Sequence, residues 1–210
     1  MSASERIETR IHLASRNAKK LREMERILAE HLPGARVVGL DDVPAYDEPV
    51  EDEPTFEGNA LLKARAGFAA TGLPSVADDS GLCVDALNGM PGVLSARWSG
   101  PPKDDDRNNR LLLDQLADVP DERRGAHFVC AVAFVHAGGE LVVHGRMDGT
   151  VIREVRGSGG FGYDVLFVAD DRPGVTTAEL SVADKDAVSH RGKALRELAP
   201  LLAQQLGSAG

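Results

Sequence analysis

Apolar residues along this chain repeat with two different periods. Ile11 to Ala14 is a short apolar run that suits a strand, and it breaks at Ser15-Arg16-Asn17. Leu21, Met24, Ile27, Leu28 and Leu32 then recur at spacings of three and four, which predicts a helix ended by Pro33-Gly34. Val37 to Leu40 reads as a second strand. A proline-bearing acidic stretch, residues 41–54, reads as a solvated loop. After Thr55 the stripe Ala60, Leu61, Ala64 and Phe68 predicts a second helix, stopped at Gly72-Leu73-Pro74.

The period then changes. VADDSGL, residues 76–82, runs from an apolar start into Ser80-Gly81, which predicts a turn that bends the chain out of a strand. Residues 88–102 are punctuated by Gly, Pro and Asn and are expected to be largely irregular. A helix is predicted over 105–118, with Leu112, Leu113 and Leu116 inward. HFVCAVAFVHA and ELVVHGRMDGTV are two β-rich runs separated by Gly138-Gly139, a hairpin signal. FGYDVLFV, residues 161–168, follows a glycine run and reads as another strand, with Phe161 and Tyr163 alternating along it. From about Ser181 the chain is helical, with Leu195, Leu198 and Leu202 inward. Strand–helix units supply parallel pairs and a hairpin supplies antiparallel ones. The expected fold is therefore α/β with a mixed sheet and flanking helices.

Composition narrows the picture. The 210 residues, 42% of them hydrophobic, suffice for a single domain spanning residues 1–210, with residues 1–10 and 204–210 expected as flexible ends. The net charge of −9 opposes a duplex nucleic-acid binder, which needs cations against phosphate. Cys83 and Cys130 lie in no CxxC pattern, so a thiolate zinc site is not expected. No apolar stretch reaches membrane-spanning length, and residues 1–10 lack the apolar core of a secretory signal. A cytoplasmic setting is expected, with no membrane partner.

Five clusters of polar residues do not fit the core pattern, and all lie at the ends of elements. Ser15, Arg16, Asn17, Ala18, Lys19 and Lys20 form a strand-to-helix turn, where helix-start amides, a hydroxyl and ammonium groups suit a phosphate; the Gly-rich Walker spacing is absent. Glu51 precedes the second helix and Lys63 lies inside it. Asp78, Asp79 and Ser80 offer carboxylates and a hydroxyl of the kind Mg²⁺ takes beside substrate phosphates. Strand alternation sends Asp78 and Asp79 to different sides. Phe161, Gly162, Tyr163 and Asp164 offer aromatics to a ring. Lys185, His190 and Arg191 offer donors to base edges or phosphate. Each cluster also has a plain structural reading, as a turn, a cap or a solvated surface. Zinc-helix and nucleophile-elbow patterns are absent.

Taken together, ASRNAKK, TFEGNALLKA, VADDSGLCVDALNGMPGVLSARWSG, FGYDVLF and SHRGKAL resemble, in order, the motifs of the inosine triphosphate pyrophosphatases. The likeness covers about residues 11 to 203. It implies an elongated mixed sheet in two lobes with a substrate cleft between them, a homodimer and Mg²⁺ dependence. It also implies hydrolysis of ITP, dITP and XTP to the monophosphate and pyrophosphate. Carried over residue by residue, Ser15–Lys20 resemble the triphosphate loop, and Glu51 and Asp79 the metal carboxylates. Asp79 is then also the base for water, with Asp78 beside it, and Ser80 and Lys63 contact substrate. Phe161–Asp164, Lys185, His190 and Arg191 resemble the nucleobase pocket. Arg16 stands where Gly is frequent in that family, Ser15 where Thr is frequent and Val165 where Pro is. A Mg²⁺ pyrophosphatase of other base specificity and a non-catalytic nucleotide-binding module are the alternatives.

Overall fold

A computed structural model describes residues 9–207. The expectation of flexible ends falls mostly on residues outside that range. The described chain runs β1 (Arg10–Leu13), α1 (Ala18–His31), β2 (Arg36–Val38), α2 (Phe56–Thr71), β3 (Ser75–Val84), α3 (Asp105–Gln115), β4 (Gly125–His136), β5 (Gly139–Val151), β6 (Phe167–Ala169), α4 (Val182–Val188) and α5 (His190–Gly207). The six strands form one mixed sheet in the order β2-β1-β3-β4-β5-β6. β1 lies parallel to β2 and β3, and the remaining pairs are antiparallel. No helix among the described residues is long and apolar enough to cross a membrane.

Side-chain alternation on β3 and β4 divides the core. Val76, Cys130, Val132 and Phe134 point to one face, where α1 and α5 cover them with Met24, Leu28, Leu195, Leu198 and Leu202. Ala77, Ala131, Ala133 and Val135 point to the other face, where α2 brings Ala60 and Ala64. Alanines on both sides let α2 approach the sheet closely. β3, β4 and β5 continue beyond these helices into a second apolar core, built from Leu82, Leu112, Leu116, Met147, Leu166 and Phe167. The long central strands thus join two lobes.

Two expected elements differ. VADDSGL is not a turn: it lies wholly within β3, a ten-residue strand that pairs continuously with β4 from Ser75↔Val135 to Val84↔Ala126. Twelve residues of β-rich sequence in β4 supply ladder bonds that outweigh the local turn preference of Ser80-Gly81. Gly81 is there for closeness. A Cβ at that position would lie 2.3 Å from Gly92 O and 2.6 Å from Ser95 Oγ, where a 3₁₀ turn (Gly92–Arg97) crosses the strand. FGYDVLFV also differs, because Gly162–Leu166 coil into a 3₁₀ turn and only Phe167–Ala169 extend as β6.

Candidate active site

Asp78 shares its face with Val76 and so points towards α1 and α5; Asp79 shares the face of Ala77 and points towards α2. β1 pairs with β3 only through Ser75 and Val76. Beyond that point the edge of β3 is open as far as the 3₁₀ turn, whose Ser95 Oγ accepts from Leu82 N at 2.9 Å. The crossovers α1 and α2 lie on opposite faces of the sheet, so the ends of β1 and β3 form a switch point, the usual crevice of an open α/β sheet.

The loop after β1 is built as a helix start. Ser15 Oγ accepts from Asn17 N (3.2 Å), and Asn17 Oδ1 accepts from Lys20 N (3.4 Å). Ala18 opens α1. Arg16 turns away to Glu48, its Nε donating at 2.6 Å across an exposed surface. The side chain of Lys19 lies outside the described part of the structure. Lys20 Nζ donates to both oxygens of Asp78 at 2.8 Å.

Asp78 is 5% exposed and also accepts from Arg191 Nε at 3.1 Å and Ser80 Oγ at 3.3 Å. Burial alone would push its carboxyl up; Lys20, Arg191 and Lys63 outweigh burial and hold it well below the ordinary carboxylate range. Asp78 is thus an anchor for cations, with both oxygens occupied. Its neighbour Cys130 is a buried thiol, pushed up to about 12 by burial and by Asp78, and therefore inert.

Asp79 is half-buried and faces no cation directly. Its Oδ2 accepts from Asn59 Nδ2 at 2.9 Å and its Oδ1 from Ser80 N at 3.0 Å. Burial pushes its carboxyl up, Lys63 and Asn59 pull it back, and the nearby Glu51 charge pushes it up again; the net direction is upward. Lys63 ties Glu51 to the backbone of β3, donating to Glu51 Oε1 at 2.6 Å and to the main-chain carbonyl of Asp78 at 2.8 Å. Of the three acids at 51–53, Glu51 alone is half-buried, and Arg97 holds its carbonyl at 3.0 Å. Glu51 and Asp79 thus form an oxygen-only pair with Lys63 as its nearest cation. That donor set fits a hard divalent ion that takes one or two carboxylates and keeps water. Among the described residues no cluster of three or more acidic, His or Cys side chains offers a full protein cage.

A cavity of about 390 Å³ opens on the α1–α5 face, between Glu23 of α1, Phe161, Lys185 of α4 and the start of α5. Ser189 caps α5, its Oγ accepting from Gly192 N at 3.0 Å, and this places His190 and Arg191 in the first turn. His190 is buried and stacked on Phe128 at 4.9 Å; burial and the charges of Arg191 and Lys185 keep its imidazole neutral, and its Nδ1 has no partner. Phe161 stands 47% exposed at the cavity, with Lys185 Nζ 5.2 Å and Arg191 Cζ 5.8 Å from its ring centroid. Asp164 accepts from Phe161 N (2.8 Å), Lys185 Nζ (2.5 Å) and Thr177 Oγ1 (2.8 Å). Tyr163 does not reach the cavity. The 3₁₀ turn, where a strand had been expected, rotates it into the second core, and its hydroxyl donates to Ser95 O at 2.9 Å. Gly162 contributes only backbone and lies off the cavity lining.

Sequence reasoning missed Asn59 and Glu23. Asn59 is a fully buried amide one turn before Lys63 on the same helical face, and that i, i+4 relation was the available signal. Glu23 pairs with Arg191 at 3.7 Å and follows Lys20 by three residues on α1.

Known proteins share this arrangement of chain. A dITP/XTP pyrophosphatase of Nocardia farcinica is 65% identical over 196 residues, 92% of this chain and 95% of that protein. One of Mycobacterium tuberculosis is 59% identical over 197 residues, 92% and 95% of the two chains. A crystal structure of a nucleoside-triphosphatase, dITP/XTP pyrophosphatase, from Mycobacterium abscessus superposes with a TM-score of 0.75 at 57% identity, covering 91% of this chain and 99% of that one. The Staphylococcus aureus Ham1 protein superposes at 0.84 with 35% identity, covering 93% and 99%. The model of the Ham1 family matches residues 11–201, nearly the whole described fold with every element of the crevice, and the chain belongs to that family.

Proposed function

We infer that this chain hydrolyses non-standard purine nucleoside triphosphates, dITP, ITP and XTP, to the monophosphate and pyrophosphate. The observation that carries this assignment is the division of labour on β3. One acid is buried under two cations, and its neighbour stands half-open at the crevice with free lone pairs and a carboxyl pushed upward. The names of the similar proteins supply the substrate class.

The positive end of α1, where Asn17 caps Lys20 N, faces the triphosphate together with the third N–H of the Lys20 ammonium, whose other two are held by Asp78. Glu51 and Asp79 would hold Mg²⁺, which when bound neutralises charge on the phosphate oxygens. Asp79 accepts a proton from the attacking water as its oxygen bonds to the α-phosphorus and the bond to pyrophosphate breaks. Asn59 fixes the carboxylate for that task. Positioning and fixed charge supply most of the rate in phosphoryl transfer, so no covalent nucleophile is needed.

Base choice falls to the cavity. Inosine and xanthine present a 6-oxo acceptor where adenine presents a donor. Arg191 and neighbouring N–H groups reward the oxo group and leave adenine's amine facing a donor, at a cost of about 1–3 kcal/mol per buried mismatch. Free, buried cysteines suit a cytoplasmic enzyme, and a homodimer is part of the same proposal. The test is a panel of ITP, XTP, dITP, GTP, ATP and pyrimidine triphosphates with pyrophosphate detection in Mg²⁺. ITP, dITP and XTP are expected to dominate, and Asp79→Asn is expected to abolish turnover while nucleotide binding persists. Equal rates across purines, or near-normal turnover by Asp79→Asn, sinks the assignment.

A further inference from the structure

The last turns of α3 bury Leu112 in the second core, but the turns before it bury two amides, although none of the substrate-facing groups above lies on that helix. Asn108 and Asn109 are 2% and 4% exposed. Asn108 serves the 3₁₀ turn over β3, accepting from Ser99 N (2.8 Å) and directing its amide to Ser95 O and Ala96 O. Asn109 reaches the other way. Its Nδ2 donates to Gly162 O at 3.0 Å, and Asp105 Oδ2 accepts from Gly162 N at 2.8 Å.

Residues 105 and 109 are i and i+4, so they share a face. One helix edge therefore grips both the N–H and the C=O of one glycine. That glycine has φ 62, in the left-handed region, and follows Phe161 directly. Asn109 Oδ1 is buried without a partner. An apolar side chain would fill the place without stranding an acceptor; what the amide adds is its donor to Gly162. Neither Asp105 nor Asn109 lines the cavity.

We propose that Asp105 and Asn109 are positioning residues for base recognition, holding Gly162 so that Phe161 stands at a fixed angle against the purine. The proposal depends on the cavity being the nucleobase pocket. Clamping the turn in advance removes an ordering cost from binding, in ground state and transition state alike. Loss of the clamp therefore raises KM for a base-bearing substrate and leaves kcat alone. The triphosphate end, on Lys20 and Lys63, does not feel it.

The experiment compares steady-state kinetics of wild type, Asp105→Ala, Asp105→Asn and Asn109→Asp on ITP and on ribose 5-triphosphate, which lacks a base. Asp105→Ala and Asn109→Asp are expected to raise KM for ITP about tenfold, the loss of roughly one net hydrogen bond, with kcat and the KM for the abasic compound within about twofold. Asp105→Asn keeps an acceptor for Gly162 N and is expected to restore most of the loss. In a Phe161→Ala background, Asp105→Ala is expected to add nothing, because both act through one ring. Asp105 is only half-buried, so its two variants carry the test if Asn109→Asp does not fold. An unchanged KM for ITP, an equal rise for the abasic compound, or additivity with Phe161→Ala overturns the clamp alone. A wild type with equal KM for both compounds overturns the pocket, and the clamp with it.

Discussion

Replacing Asp78 by Asn separates its anchoring role from chemistry. The substitution keeps shape and removes one negative charge from a site 5% exposed. The carboxylate accepts from Lys20 Nζ on both oxygens at 2.8 Å and from Arg191 Nε on one at 3.1 Å; the amide keeps one acceptor oxygen, turns an N–H donor towards the cations and leaves both without this negative charge. The side chains of Lys20 and Arg191 are 20% and 9% exposed, so water replaces little, and among the described residues Glu23, 3.7 Å from Arg191, is the ion-pair partner that remains. Removing one member of a buried ion network costs about 3–5 kcal/mol. At roughly 2–4 °C per kcal/mol for a chain of this size, the melting temperature should fall by about 6–20 °C. Thermal unfolding followed by circular dichroism at pH 7 measures it, with Asp79→Asn as control. Burial opposes the Asp79 charge in the fold, so its neutral isostere should melt no lower than wild type. The sign with pH follows from the depressed Asp78 carboxyl. Its contribution is complete above the unfolded aspartate value of about 3.9 and is lost as pH falls towards the lower folded value, so the gap between wild type and variant should narrow below about pH 4. A variant melting within about 2 °C of wild type at pH 7 would refute the cation-anchor role.

Other outcomes follow from the same geometry. Asn59→Leu removes a donor that lowers the Asp79 carboxyl, so the acid limb of kcat/KM should move to higher pH than in wild type; an unmoved limb means that Asp79 is not the titrating base. Gly81→Ala places a Cβ 2.3 Å from Gly92 O and should destabilise by about 1–3 kcal/mol in denaturant unfolding, whereas a tolerated alanine would show that the 3₁₀ turn yields. Arg191→Lys keeps a charge for Asp78 but loses the planar fork, so it should melt higher than Asp78→Asn while its preference for ITP over ATP falls about tenfold; an unchanged preference assigns base choice elsewhere.

Much of the fold was legible because several elements carry an unbroken period. The stripe from Leu21 to Leu28 and the hairpin at Gly138-Gly139 needed no long-range information. VADDSGL was misread because its local signals, Ser and Gly, are turn signals, while the partner that keeps it extended lies about fifty residues further on in β4. FGYDVLFV was misread for the opposite reason. Its alternation suits a strand, yet Gly162 and the grip of α3 curl it. At the site, residue types were legible and pairings were not. Lys20 and Arg191 meet on Asp78 across 58 and 113 residues, and nothing local marks that meeting. Alternation did place Asp78 and Asp79 on opposite faces, since it depends on strand geometry alone.

That opposition makes β3 a kind of insulation. The charges that shift Asp79 are Lys63 and Glu51, whereas those that hold Asp78 are Lys20, Arg191 and Lys63. Lys20 and Arg191, which dock α1 and α5, act on the Asp78 side alone, so a proton taken up by Asp79 in each catalytic cycle reaches that charge balance through the shared Lys63 rather than directly. Two consecutive acids, one peptide apart, let the protein cycle its protonation state many times without loosening its own fold.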